Sequence, residues 1–206
     1  MRTWPYPAIV AHRGGGKLAP ENTLEAIDVG ARYGHRMIEF DAKLSADDIV
    51  FLLHDDDVDR TSNGRGTANT MTYAQLSALD AGTWFNAAFA QVRERCVRHE
   101  LAANIEIKPS QGRDVETGVL VAREAAALWA NADPLPLLSS FSYAALEAAH
   151  DVAPNLPRGM LYERVPPDWR AQTAALSCVP LHANHRSLER SSRRSRMPAC
   201  AFSPTP

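Results

Sequence analysis

The 206-residue sequence is short of cysteine, of long apolar runs and of any excess of one charge. Its three cysteines are odd in number and widely spaced, so they imply neither a disulfide framework nor a zinc site. No apolar run approaches the roughly 20 residues that a membrane-spanning helix needs, and residues 1–7 lack the apolar segment of a secretory signal. The balance of 22 basic and 24 acidic side chains indicates no nucleic-acid surface. We therefore expect a soluble, reduced, cytoplasmic protein.

The composition is that of an ordinary globular domain. Hydrophobic residues make up 45% and charged residues 22% of the chain, and the length suits one domain. Residues 1–185 carry the apolar patterning and are the predicted domain, with 57–91, rich in Thr, Asn and Gly, as an insertion after the third strand. Residues 186–206 contain five arginines, five serines and three prolines without apolar periodicity, which predicts an irregular basic tail.

Predicted strands and helices alternate along the chain. Seven strands are predicted, at residues 8–11, 37–43, 49–53, 104–108, 137–140, 159–162 and 178–182. The first helix follows Asn22, its predicted N-cap, and stops at Gly34; others are predicted at 117–129, 143–150 and 168–176. This alternation indicates parallel strands joined by crossover helices. Because no G-x-G-x-x-G opens a helix, a TIM-type (β/α)₈ barrel fits better than a dinucleotide fold. Residues 44–48 are too few for a crossover helix.

Carboxylates stand at alternate positions within two predicted strands. Side chains of a strand point to opposite faces in turn, so Glu39 and Asp41 share one face, as Glu106 and Lys108 do in another strand. Buried carboxylates are costly unless they are paired or bind a cation, and a hard divalent ion such as Mg²⁺ or Ca²⁺ prefers oxygen ligands. The alternative is an internal ion-pair network with three nearby cations, Arg13, Lys43 and Lys108.

Two histidines favour the catalytic interpretation. His12 ends the first predicted strand and His54 ends the third, and the carboxyl ends of barrel strands are where active sites assemble. One imidazole could accept a proton while the other donates one, beside a metal. Arg13 offers a planar fork suited to phosphate oxygens. Which histidine is the acid stays open.

Other polar and aromatic residues are weaker candidates. Ser139 and Ser140 lack the G-x-S-x-G motif of a serine hydrolase. Trp84 could line a pocket or simply pack within the insertion. His182 and Asn184 end the last predicted strand and could contact a substrate.

The motifs that contain these residues resemble the glycerophosphodiester phosphodiesterase family. They are AHRG at 11–14, APENT at 19–23, EFD at 39–41, LHDD at 53–56 and EIK at 106–108. The resemblance covers about residues 4–185 and is closest to the bacterial cytoplasmic members associated with glycerol-3-phosphate uptake.

The resemblance implies a phospholipase-C-like TIM barrel that hydrolyses glycerophosphodiesters to glycerol 3-phosphate and an alcohol. It also implies roles for seven residues: an acid–base pair (His12 and His54), ligands of Mg²⁺ or Ca²⁺ (Glu39, Asp41 and Glu106) and phosphate contacts (Arg13 and Lys108).

The sequence departs from the family in two places. The family has a longer segment between Phe89 and Gln91, and after Asn184 it continues with helix and strand that do not occur here. We therefore expect the barrel to be incomplete at its C-terminal end. Two alternatives stay open: a phospholipase-like enzyme that acts on membrane lipid, and a non-catalytic remnant that binds phosphate or a partner without turnover.

Overall fold

The computed structural model describes residues 4–79, 87–179 and 181–183 of the chain. The strands are β1 (Met37–Leu44), β2 (Val50–Leu52), β3 (Ala102–Ile107), β4 (Leu137–Ser140), β5 (Arg158–Tyr162) and β6 (Leu181–Ala183). The helices are α1 (Leu24–Arg32), α2 (Tyr73–Ser77), α3 (Phe89–Arg98), α4 (Asp114–Leu128), α5 (Tyr143–Val152) and α6 (Trp169–Ala175), with 3₁₀ turns at Gly16–Leu18 and Ala68–Thr70. The predictions for Trp84, Asn184 and the tail lie outside the described residues.

The strands form one sheet in the order β2-β1-β3-β4-β5-β6. The neighbours from β1 to β6 all pair in parallel, and α4, α5 and α6 connect successive strands from β3 onwards. This is the predicted alternation of strand and crossover helix. Within the described ranges, β2 and β6 are the edges of the sheet and do not pair with each other.

The third predicted strand runs in the opposite direction from the others. β2 pairs antiparallel with β1, with Leu44 opposite Val50, and the Ser45 amide donates to the Ile49 carbonyl at 3.1 Å in the turn between them. The expectation of a parallel strand here was wrong. The few residues between the two strands can close a hairpin, whereas a parallel return requires a dozen or more.

The first predicted strand, residues 8–11, is reduced to a single bridge. Ala11 pairs in parallel with Ile38: its amide donates to the Met37 carbonyl at 3.0 Å and its carbonyl accepts from the Glu39 amide at 2.9 Å. Even so, this bridge sets the following residue, His12, beside the middle of β1.

Two helix predictions require correction. α1 is capped by Thr23, whose hydroxyl accepts from the Ala26 amide at 3.1 Å, and not by Asn22. α3 was not predicted and begins at Phe89, inside the predicted insertion. Phe89, Val92 and Cys96 are all buried in α3, and their i, i+3, i+7 spacing is the signal that could have revealed the helix.

The two faces of β1 have opposite character. Ile38 and Phe40 point into the main apolar core, which lies between the sheet and its helices. The other face presents Glu39 and Asp41, which are also buried. At the amino-terminal end of that face Met37 joins a small apolar cluster with Tyr6 and Leu137. Polar side chains on this face therefore gather towards the carboxyl ends of the strands.

None of the helices in the described part of the chain is long and apolar enough to cross a membrane.

Candidate active site

Three carboxylates meet on the inner face of β1 and β3. The parallel register sets Asp41 opposite Glu106 and Glu39 opposite Asn104. One carboxylate oxygen of each of Glu39, Asp41 and Glu106 lies within 4.8 Å of those of the other two. The structure therefore brings together the three residues that the sequence predicts as metal ligands.

The electrostatics of this cluster suit a bound cation. Burial, followed by the charges of Asp41 and Glu106, raises the pKa of Glu39 well above its usual value. Burial and the Asp41 charge also raise the pKa of Glu106. The Glu39 Oε1 atom is buried and accepts no hydrogen bond from any described residue. Three hard oxygen donors with an unused lone pair fit a divalent cation such as Mg²⁺ or Ca²⁺.

The cationic side chains neutralise this cluster only in part. Lys108 Nζ donates to Glu106 Oε1 at 3.1 Å and lies 3.6 Å from Asp41 Oδ1, and Arg13 Nε lies 3.6 Å from Asp41 Oδ2. Lys43 instead pairs with Asp56, 2.7 Å away. Ion pairs with Arg13 and Lys108 thus explain how the charges of Asp41 and Glu106 are balanced. Among the described residues Glu39 has no lysine or arginine within ion-pair distance.

The turn after Ala11 places His12 and Arg13 beside the carboxylates. Arg13 adopts a left-handed backbone with φ 52°, and its amide donates to Glu39 Oε2 at 2.9 Å. His12 Nε2 lies 3.9 Å from the same oxygen. The Gly14 amide donates to the Glu39 carbonyl at 2.9 Å. A strained non-glycine residue persists only where its surroundings hold it, and here the restraint comes from β1.

Asn22 has a positioning role that the sequence interpretation missed. Its Nδ2 donates to Asp41 Oδ2 at 2.8 Å, and its Oδ1 accepts from the Asp41 amide at 3.0 Å. Asn22 has φ 58°, a conformation that asparagine tolerates better than most residues. Its place in the APENT motif was the available signal, but the partner lies 19 residues away in β1.

His54 is oriented by the residue that follows it. Its Nδ1 lies 2.7 Å from Asp55 Oδ1, which leaves Nε2 as the ring nitrogen available to a substrate. Hydrogen bonds to Asp55, first from Arg60 and then from His54, lower the pKa of this carboxyl to about 2. Asp55 therefore stays ionised at neutral pH beside the imidazole.

A cavity of about 260 Å³ joins these groups. Six of the seven predicted site residues line it: His12, Arg13, Glu39, His54, Glu106 and Lys108. Asp41, 1% exposed, is the seventh and does not line the cavity. The other lining residues are mostly apolar or aromatic: Val10, Asn104, Phe141, Leu161, Tyr162, Glu163, His182 and Ala183. Of these, the sequence had predicted only His182 as a possible substrate contact.

Of the weaker candidates from the sequence, His182 lines the cavity and the two serines do not. His182 lines the cavity, its Nε2 is buried without a hydrogen-bond partner among the described residues, and burial lowers its pKa to about 4. Ser139 and Ser140 are fully buried, and Ser140 donates to the Ile107 carbonyl at 2.6 Å. Neither serine is available as a nucleophile.

Known proteins resemble this chain in sequence and architecture. A glycerophosphodiester phosphodiesterase of Caldanaerobacter subterraneus subsp. tengcongensis is 33% identical over 163 residues, which cover 75% of this chain and 66% of that protein. One of Bacillus subtilis is 30% identical over 176 residues, with 75% and 59% covered. This chain thus spans less than two thirds of the length of either relative.

The solved structure of an Oleispira antarctica phosphodiesterase in complex with the product sn-glycerol-3-phosphate superposes with a TM-score of 0.82 at 30% identity. The match covers 91% of this chain and 80% of that one, which confirms the predicted fold class. The model of the "Glycerophosphoryl diester phosphodiesterase family" matches residues 12–199. That range contains the carboxylates, both histidines and both cationic side chains of the cavity, and the chain belongs to this family.

Proposed function

We infer that this chain hydrolyses glycerophosphodiesters to glycerol 3-phosphate and an alcohol, with the help of a divalent cation. The observation that carries this proposal is the convergence of three carboxylates, two histidines and two cationic side chains on one cavity. The named activity of the relatives and the glycerol 3-phosphate in the related structure support it.

Glu39, Asp41 and Glu106 would hold the cation, either Mg²⁺ or Ca²⁺. When bound, such an ion supplies positive charge that polarises phosphoryl oxygens and lowers the pKa of a coordinated hydroxyl or water. The protein's part is to keep the three carboxylates converged. Asn22 and the Arg13 amide do so by hydrogen bonds to Asp41 and Glu39.

Arg13 and Lys108 would bind the phosphate. Both side chains line the cavity, and both already lie beside the carboxylates that hold the cation. Positive groups fixed in advance around the phosphate stabilise the negative charge that develops in the transition state.

His12 and His54 would transfer the protons. The Asp55 carboxylate is hydrogen-bonded to Nδ1 of His54, so His54 would exchange its proton with the substrate at Nε2. His12 belongs to the loop after Ala11, and its Nε2 lies 3.9 Å from Glu39 Oε2. A pair of histidines on different loops allows one to accept a proton from the nucleophile while the other donates one to the leaving alcohol.

The cytoplasmic location, the insertion at 57–91 and the division into a domain at 1–185 and a tail at 186–206 stay predictions from the sequence.

The direct test is glycerol 3-phosphate release by the purified chain from soluble glycerophosphodiesters. We expect turnover that EDTA abolishes and that added Mg²⁺ or Ca²⁺ restores. Faster hydrolysis of micellar phospholipid than of soluble diesters would instead support the phospholipase alternative. A folded chain that shows no turnover with either metal would refute the proposal.

Variants of the histidines test the chemistry. Because a general acid or base contributes about 10²–10⁴-fold, His12→Ala and His54→Ala should each lower kcat on that scale and retain the stabilisation by metal. His150→Ala, on α5 and outside the cavity lining, is the matched control and should keep full activity. Normal turnover by either site variant would remove that histidine from the mechanism.

A further inference from the structure

One exposed arginine links the two catalytic loops. Arg60 Nε donates to Asp55 Oδ2 at 2.6 Å, while its two terminal nitrogens donate to the two oxygens of Glu21 at 2.6 and 3.0 Å. Glu21 Oε1 also accepts from Arg13 Nη1 at 2.7 Å. Together with the contact between Asp55 and His54, these bonds form an unbroken chain of five side chains, which we call the Arg60 chain.

The Arg60 chain joins the two ends of the proposed reaction. At one end His54 would transfer a proton, and at the other Arg13 would hold the phosphate. Glu21 and Arg60 are 39 positions apart in sequence, so the contact holds the loop after Ala11 against the loop after β2. Neither Glu21, Asp55 nor Arg60 lines the cavity itself.

The exposure of Arg60 limits what this arrangement adds to the stability of the fold. The Arg60 side chain is 49% exposed, against 21% for Glu21 and 26% for Asp55, and solvent screens ion pairs at such a site. However, a guanidinium that makes a two-pronged contact with one carboxylate and a third bond to another has a defined geometry. Lysine cannot reproduce it, because an ammonium group has no fixed planar fork.

We propose that Arg60 is a positioning residue for the phosphodiesterase reaction, which orients His54 through Asp55 and Arg13 through Glu21. The inference rests on the proposed function of His54 and Arg13. Without Arg60, Asp55 loses one of the two side-chain partners that it has among the described residues and can rotate away from His54 Nδ1. Glu21 loses both bonds from the Arg60 terminal nitrogens, and the Arg13 side chain is then held less firmly over Asp41.

Kinetic comparison of Arg60→Ala with Arg65→Ala tests this role. Arg65 lies in the same loop and is 77% exposed; among the carboxylates of the described residues it contacts Asp59 alone, at 3.6 Å. Its variant is therefore the matched control. We expect Arg60→Ala to lower kcat about 10–100-fold, as small misplacements of reacting groups do, while Arg65→Ala stays near wild type. Arg60→Lys should recover little of the loss. Added guanidinium, at a concentration that does not denature the protein, should restore part of the activity of Arg60→Ala.

A spectroscopic readout separates this inference from the proposed function. The ¹⁵N shifts of the His54 imidazole in the full chain should show the proton on Nδ1 in the wild type and a mixture of tautomers in Arg60→Ala. If the wild-type chain has no turnover, the proposed function fails, and these spectra still decide whether Arg60 orients His54. An Arg60→Ala variant with kcat within about twofold of wild type and unchanged His54 signals would overturn the inference. So would a kcat loss that guanidinium does not relieve and that leaves the His54 signals unchanged.

Discussion

Removing the side chain of Asn22 should loosen the cation site and destabilise the fold by a measurable amount. Asn22 is 2% exposed and Asp41 1%, and two hydrogen bonds join them. Asn22→Gly leaves the Asp41 amide unpaired, which costs about 1–3 kcal/mol, and removes a bond to a charged carboxylate worth about 1.5–3 kcal/mol. Because water can enter the space left by the side chain, we expect a net loss of about 3 kcal/mol.

The backbone conformation of Asn22 supplies a matched comparison. At φ 58° glycine is unstrained, whereas alanine pays about 1–2 kcal/mol for a left-handed conformation. Asn22→Ala should therefore be less stable than Asn22→Gly by that difference. Both variants should also bind Ca²⁺ or Mg²⁺ about 10–100-fold more weakly, because Asp41 is no longer held in place.

Urea and thermal unfolding, each with EDTA and with saturating Ca²⁺ or Mg²⁺, measure both effects. For a chain of this size about 3 kcal/mol corresponds to a fall in Tm of about 6–12 °C. If Asn22→Gly unfolds within about 0.5 kcal/mol of the wild type and binds metal equally well, the Asn22–Asp41 contact has no energetic role and the reasoning is wrong.

Three further outcomes are expected. Glu39→Gln should abolish the rise in Tm that Mg²⁺ or Ca²⁺ gives the wild type by mass action; a retained rise would exclude Glu39 as a ligand. Gly30→Ala should destabilise by more than about 3 kcal/mol, since its Cβ would lie 2.2 Å from the Gly14 carbonyl oxygen. Gly34→Ala, with open space but φ 83°, should cost only about 1–2 kcal/mol, and equal losses would refute the steric explanation. His182, with its pKa lowered to about 4, takes up a proton more readily when unfolded. The wild type should therefore lose up to about 2 kcal/mol of stability between pH 7 and pH 5, and His182→Asn should lose less, as measured by urea unfolding at both pH values.

The sequence allowed much of the candidate site to be predicted, because the chemistry of these residues is visible locally. Glu39 and Asp41 alternate with Ile38 and Phe40, and a strand with period two must set these pairs on opposite faces. The same rule applied to Glu106 in β3 and to Lys108, which directly follows that strand. The structure confirms that these carboxylates converge; their role as metal ligands stays a proposal.

Contacts between distant segments could not be predicted in this way. The pattern at residues 49–53 was compatible with either strand direction, and only the short connection to β1 indicated a hairpin. Asn22 was assigned to a helix cap because a polar residue before an apolar run suits one. Its actual partner depends on how α1 and β1 pack together.

The sequence by itself determined which residues of β1 and β3 share a face and which motifs form the candidate site, since both follow from local spacing and residue type. The tertiary structure alone decided that β2 returns antiparallel, that Asn22 holds Asp41 and that Arg60 connects Glu21 to Asp55. The physical reason is that periodicity reports only whether a face is buried. Hydrogen bonds between polar side chains depend on the three-dimensional path that brings distant loops within about 3 Å of each other.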